Sequence, residues 1–80
     1  MNTIEKVKSL IRKEFNIDDI ADNSNLELEL NINSLDRADL IYLIEDEFGV
    51  YIEDGDLYSF QTVAELANLI DSYLAAEQDI

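Results

Sequence analysis

The 80 residues contain no cysteine and no histidine, and glycine appears only twice. Without cysteine the chain has no disulfide and no thiolate chemistry, although this absence does not fix a compartment. Without histidine no Ser-His or Cys-His nucleophile pair can be assembled. Zinc likewise has no credible ligand set. Two glycines are too few for a phosphate-cradling loop. An EF-hand loop needs an acid at its first position when glycine holds its sixth. For Gly49 and Gly55 those places are held by Ile44 and Val50, which carry no charge. The lysines are expected on the exposed face of the first helix, where none makes a convincing base. No catalytic residue and no metal ligand set is assigned, and the chain is not expected to be an enzyme on its own.

Long apolar runs are missing too. Met1-Asn2-Thr3-Ile4-Glu5-Lys6 leads into alternating charged and apolar residues, unlike the uninterrupted apolar stretch of a signal peptide. No run approaches the length of a membrane span. A soluble, cytoplasmic monomer folded as one domain over residues 1–80 is the expectation, with marginal stability for a chain this short.

Basic residues are scarce, whereas acidic ones are abundant. Five Lys and Arg stand against 19 Asp and Glu, for a formal charge of −14. Four of the five basic residues, Lys6, Lys8, Arg12 and Lys13, lie in the first segment, and only Arg37 follows. Such a surface repels nucleic acid and anionic lipid and attracts proteins with basic patches. The charge exceeds what solubility needs in a small domain. Apolar residues make up 48% of the chain, enough for a packed core rather than a disordered acidic tail.

The apolar periodicity is helical throughout. Ile4, Val7, Leu10, Ile11 and Phe15 predict a helix over 3–15, with Asn2 and Glu5 as a capping pair. Asn and Asp then dominate residues 16–33, a long loop pinned by scattered Ile and Leu, with room for a turn of helix inside it. A second helix is predicted over 34–48, its inward stripe formed by Leu40, Ile41, Ile44 and Phe48 and its end marked by Gly49. Val50-Tyr51-Ile52 reads as an extended connector without a pairing partner. Residues 54–59 suit a short helix, and the Thr62-Val63-Ala64-Glu65 capping box opens a last helix over 62–76. The fold class is therefore all-α: three main helices and one short one, with a long loop between the first two main helices.

The chemically informative stretch is Asn31-Ile32-Asn33-Ser34-Leu35-Asp36. Ser34 sits where the loop meets the helix start, facing unpaired backbone N–H groups and the positive end of the helix dipole. An anion there gains roughly 0.3–1 kcal/mol when exposed. The same residues equally suit a plain N-cap contributing about 1 kcal/mol, which is the commoner arrangement.

In its full context the chain resembles the acyl carrier protein family. Asn33-Ser34-Leu35-Asp36 stands where the family has its D-S-L motif, and Leu40 to Phe48, LIYLIEDEF, looks like its acidic recognition helix. Thr3-Ile4-Glu5 with Val7-Lys8, then Ile52, the acidic turn 53–56 and Thr62-Val63, are similar to the family's pattern in spacing across essentially the whole chain. The resemblance implies that Ser34 receives 4′-phosphopantetheine from coenzyme A through a phosphopantetheinyl transferase. It implies that Leu35, Asp36, Asp39, Tyr42, Glu45 and Asp46 face partner enzymes with basic patches that load, condense and modify the acyl group. It also implies that Ile41, Ile44, Ile52, Leu57, Phe60, Leu66 and Leu69 line a cleft for an acyl chain, although ordinary core serves them as well.

Three residues depart from the family pattern. Asn33 replaces the Asp before the serine, Asn31 replaces a Gly, and Arg37 brings a positive charge onto a helix typically acidic or neutral there. The loop before Ser34 is also slightly short. These departures suggest a specialised carrier. An aminoacyl, peptidyl or D-alanyl carrier would use the same arm, and an unmodified acidic interaction module would explain the charge without it.

Overall fold

The computed structural model describes residues 2–78, with side chains through Ala76. Helix α1 spans Thr3–Phe15, α2 spans Ser34–Phe48 and α3 spans Val63–Gln78. A single 3₁₀ turn, Asp54–Asp56, precedes α3. Among the described residues there is no strand, only an isolated antiparallel bridge between Asn25 and Thr62. The all-α expectation therefore holds.

Local chemistry explains the helix ends. Asn2 Oδ1 accepts from the Glu5 N–H at 3.0 Å and opens α1. Asn16 closes it in the left-handed region at φ 55, a conformation Asn tolerates better than most residues. Gly49, at φ 67, closes α2 and donates its N–H to the Glu45 carbonyl at 2.9 Å. At α3, Thr62 Oγ1 accepts from the Glu65 N–H at 3.1 Å, while Glu65 Oε1 accepts from the N–H groups of Gln61 and Thr62, each at 3.0 Å. Those bonds to the charged form hold the Glu65 carboxyl below its ordinary pKa.

One buried cluster joins the three helices and the long loop. Val7 and Ile11 come from α1, Leu40, Ile41 and Ile44 from α2, and Val63, Leu66 and Ile70 from α3. α1 packs on both other helices. The long loop adds Ile20, Leu26, Leu30 and Ile32 to this core. It is also held through its backbone. The Leu26 N–H donates to Gln61 O at 2.9 Å, Val63 to Ser24 O at 3.2 Å and Ala64 to Asp22 O at 2.8 Å. The amides at the start of α3, unsatisfied within the helix itself, thus bind the loop carbonyls. Where the sequence left room for a turn of helix inside the loop, the structure has a hydrogen-bonded turn without a helix: the Asn25 carbonyl accepts from Glu29 and Leu30, and Asn25 Oδ1 accepts from Glu27 and Leu28.

The expected short helix over 54–59 is instead the three-residue 3₁₀ turn. Its bonds run from Asp56 to Glu53, Leu57 to Asp54 and Ser59 to Asp56, all three residues apart. The Asp54 carbonyl accepts from Leu57 rather than from Tyr58, so the turn stays 3₁₀, and beyond it the carbonyls of Leu57 and Phe60 accept from the Arg37 guanidinium. The last helix begins one residue later than predicted and runs on to Gln78.

Lys8 departs from the exposed position expected of it. It is buried, and its amine pairs with Asp22 in the loop and, at 3.7 Å, with Glu5. The hydrogen bond to Asp22 holds its pKa above the ordinary lysine value, the opposite of what a general base requires. Among the described residues no helix is long and apolar enough to cross a membrane.

Candidate functional site

Ser34 is the first residue of α2, and Asn33 is its N-cap. Asn33 Oδ1 accepts from the Asp36 N–H at 2.9 Å, and Asp36 Oδ2 accepts from the Asn33 N–H at 3.4 Å. This reciprocal pair shows that Asn in place of the family's Asp keeps the cap while carrying no charge beside the serine. Immediately upstream, Asn31 takes the left-handed conformation at φ 58 that its permissive side chain allows. Ile32 between them is buried and donates its N–H to Leu26 O at 2.9 Å.

The serine is thus held from both sides yet left exposed. Among the described residues the N–H groups of Ser34 and Leu35 have no protein acceptor, and the Ser34 hydroxyl has no protein partner. A phosphodiester fits this position: two free amides and the helix dipole favour an anion, and nothing covers the oxygen.

The six positions read as partner-facing differ in what they do. Leu35 is 79% exposed and Tyr42 71% exposed, and Asp39 and Asp46 are exposed between and beyond them. Asp36 is half-buried in the capping box. Glu45 is half-buried as well, its Oε2 accepting the Ile52 N–H at 2.9 Å.

Ile41, Ile52 and Leu57 of the seven proposed cleft residues line a cleft of about 220 Å³ between α2 and residues 51–57. Ala38, Tyr42, Glu45, Tyr51 and Asp54 complete its walls. Ala38, Ile41, Tyr42 and Glu45 follow the i, i+3, i+4, i+7 spacing of one helix face, so that side was readable from the sequence. Ile44, Phe60 and Leu66 are instead sealed core, and Leu69 lies on a separate groove with Asp56, Ser72, Tyr73 and Ala76.

The sequence marked Arg37 only as a positive charge on α2, and the structure buries it. It is 6% exposed, with Nη1 donating to Leu57 O at 3.2 Å and to Phe60 O at 2.8 Å. Its spacing to Leu40, Ile41 and Ile44 already put it on the inward stripe, but its charge argued against burial. Tyr73 reaches the same segment from α3, donating its hydroxyl to Asp56 and accepting the Glu53 N–H at 3.1 Å. The bond to Asp56 raises the phenol pKa above its ordinary value.

An exposed serine thus stands at the open amide end of an acidic helix, beside a small apolar cleft. The family described as "Phosphopantetheine attachment site" matches residues 5–70. The acyl carrier protein of Thermotoga maritima is 35% identical over 71 residues, covering 86% of this chain and 88% of that protein. The acyl carrier protein of Thermosynechococcus vestitus is 32% identical over 75 residues, covering 91% and 93%. In structure, the crystal structure of an acyl carrier protein from Thermotoga maritima superposes with a TM-score of 0.79 at 24% identity, covering 91% of this chain and 87% of that one.

The chain belongs to the acyl carrier proteins, whose prosthetic group is phosphopantetheine. It is a carrier that works with biosynthetic enzymes and is not itself a catalyst.

Proposed function

We propose that Ser34 carries 4′-phosphopantetheine and that the chain delivers thioester-bound acyl groups to enzymes of fatty acid, polyketide or related biosynthesis. The observation that carries this reading is the exposed Ser34 hydroxyl beside two amides that have no acceptor among the described residues. The arm, when bound, supplies the thiol that holds the cargo. The protein's own part is to fix the attachment point, address it to partners and shelter the acyl chain. Ser34 and Leu35 amides face the phosphodiester. Asp39 and Asp46 offer exposed carboxylates to basic patches beside the exposed Leu35 and Tyr42, and Asp36 and Glu45 add their charge from half-buried positions. Ile41, Ile52 and Leu57 form the apolar side of the shelter. A phosphopantetheinyl transferase is the first partner, followed by loading, condensing and modifying enzymes. The chain serves as a monomeric, single-domain cytoplasmic carrier.

The test is intact mass after incubation with coenzyme A and a broad-specificity transferase. A phosphopantetheine-sized gain in the wild type that is absent in Ser34→Ala is expected. An unmodified wild type with several transferases, or a gain that survives in Ser34→Ala, overturns the assignment.

A further inference from the structure

Among the described residues the large apolar side chains left exposed are Leu28, Leu35, Tyr42, Tyr51 and Tyr58. A tyrosine carries a hydroxyl that water can solvate, whereas a leucine carries nothing polar. The two leucines are also the most exposed of the five, at 80% for Leu28 and 79% for Leu35. They bracket Ser34 in the chain, one in the long loop and one in the first turn of α2.

A single exposed leucine is ordinary on a protein surface. Leu28 differs in how it is displayed. Its neighbours Leu26 and Leu30 are buried, and the backbone between them is fixed around Asn25. Asn25 Oδ1 accepts from the N–H groups of Glu27 and Leu28, its carbonyl accepts from those of Glu29 and Leu30, and its own N–H donates to Glu29 Oε1 at 2.9 Å. The leucine is therefore held outward on an ordered turn, so little backbone freedom is lost when a partner covers it. Glu27 and Glu29, both exposed, give the knob an anionic rim.

Position ties this knob to the serine. The Ile32 N–H donates to Leu26 O and closes residues 26–32 into a loop. Leu28 and Ser34 each stand two residues from that closure, so their Cα atoms are at most about 20 Å apart. An enzyme that modifies the Ser34 hydroxyl must centre its contact on that residue. A standard interface of about 800 Å² per partner reaches about 16 Å from its centre, which takes in Leu35 and meets the Leu28 side chain at its edge. The donor of the arm, coenzyme A, is polyanionic, so the mouth of the enzyme that holds it is basic and complements Glu27, Glu29 and Asp39. Enzymes that act later on the thioester meet the far end of the arm and need not sit over Ser34.

We infer that Leu28 is an apolar anchor for the phosphopantetheinyl transferase, entering an apolar socket with a basic rim while the enzyme closes over Ser34. This rests on the carrier reading of Ser34 and adds to it a contact outside α2. Transfer joins the Ser34 oxygen to the pantetheine-bearing phosphorus and breaks the bond from that phosphorus to the bridging pyrophosphate oxygen. The nucleotide leaves, and the hydroxyl proton passes to a base of the enzyme.

The test uses the whole chain, coenzyme A and the transferase of its native cell, with modification followed by intact mass. Leu28→Ser should lower kcat/KM about tenfold, as loss of one well-covered apolar contact does. The loss should fall on KM, with kcat within about twofold of wild type, because the contact is made equally before and during transfer. Leu28→Met should keep most of the wild-type value, since it fills the same socket, and urea unfolding should be unchanged in both variants. A second measurement needs no transfer. Ser34→Ala cannot be modified, and titrated into the transferase by calorimetry it should bind about tenfold more tightly than Ser34→Ala combined with Leu28→Ser.

Equal kcat/KM for wild type and Leu28→Ser overturns the proposal, as does an equal loss in Leu28→Met. Equal or absent binding of the two Ser34→Ala proteins overturns it too. So does a concentration-dependent dimer that Leu28→Ser renders monomeric, which would assign the leucine to a second copy of this chain. Failure of the carrier reading shows differently: the wild type then gains no mass, while the calorimetric comparison still reports on Leu28.

Discussion

Arg37 Nη1 lies 2.8 Å from the Phe60 carbonyl oxygen, and the guanidinium carbon sits 4.6 Å from the centre of the same residue's ring. One residue is thus gripped at its backbone and its face by a side chain 23 positions earlier. The guanidinium fork suits this double role, since it donates in a plane while stacking on an aromatic face. The connection joins the helix that carries Ser34 to the segment that walls the cleft.

Arg37→Met should destabilise the fold by about 2 kcal/mol, the scale of a lost hydrogen bond from a charged donor together with stranded carbonyls. Arg37→Lys should recover part of the loss, because an ammonium can reach a carbonyl but does not stack as a planar fork. Urea unfolding monitored by helical signal measures both. A loss within about 0.5 kcal/mol, as for an ordinary surface site, would show that the buried guanidinium contributes little.

Gly49→Ala should cost about 1 kcal/mol from backbone strain alone. The residue has φ 67, and an added Cβ would meet nothing within 4 Å, so no clash adds to the penalty. Gly49→Asn should cost less, because Asn enters the left-handed region more readily. Thermal unfolding of the two variants gives the comparison, and equal losses would point to a contact rather than to the backbone.

The Glu65 cap should give stability a specific pH dependence. Its folded-state pKa lies below the ordinary value of 4.5, owing first to the Gln61 amide and then to the Thr62 amide. The unfolded state therefore binds the proton more readily. The contribution is fully present above that ordinary value and is lost as pH falls through the folded-state value. The stability difference between wild type and Glu65→Ala should stay constant near neutrality and shrink on acidification below about 4.5. Global repulsion also falls on acidification, but both proteins share that change almost equally. A difference that grows as pH falls would contradict the cap.

Added salt should raise the melting temperature. With a formal charge of −14, self-repulsion opposes the folded state, and salt screens it within about 8 Å at physiological ionic strength. About 1 kcal/mol of relief corresponds to roughly 4–8 °C for a domain of this size. An unchanged or lower melting temperature would show that repulsion does not limit stability.

Partner turnover should depend on the exposed carboxylates of α2. Asp39→Asn with Asp46→Asn should lower kcat/KM for a partner enzyme and flatten its salt dependence, because both side chains are exposed and free to steer encounter. Asp36 is less suitable for this test, since removing its charge also disturbs the Asn33 cap. Equal salt slopes for the double variant and wild type would exclude steering by this pair.

Much of the architecture was legible in the residues because it is encoded within single turns. The caps at Asn2, Asn33 and Thr62, the stop at Gly49 and the spacing of the apolar stripes are local, each decided by atoms three or four residues apart. So was the position of Ser34 at a helix start. The 54–59 segment was misread because its helical signal was weak, and its backbone closes in bonds three residues apart rather than four.

The amino-acid order alone settled where the first two helices begin and end, which hydroxyl stands at an open amide end, and the family pattern around it. Only the packed structure decided that Arg37 and Lys8 are buried, that Glu45 turns to the Ile52 amide, and that Ile44 and Phe60 are sealed core rather than cleft lining. The reason is that a charged side chain is exposed by default and becomes buried only when distant segments bring it partners. Those partners, two carbonyls for Arg37 and the Asp22 carboxylate for Lys8, exist at the right place only after the three helices and the long loop have come together.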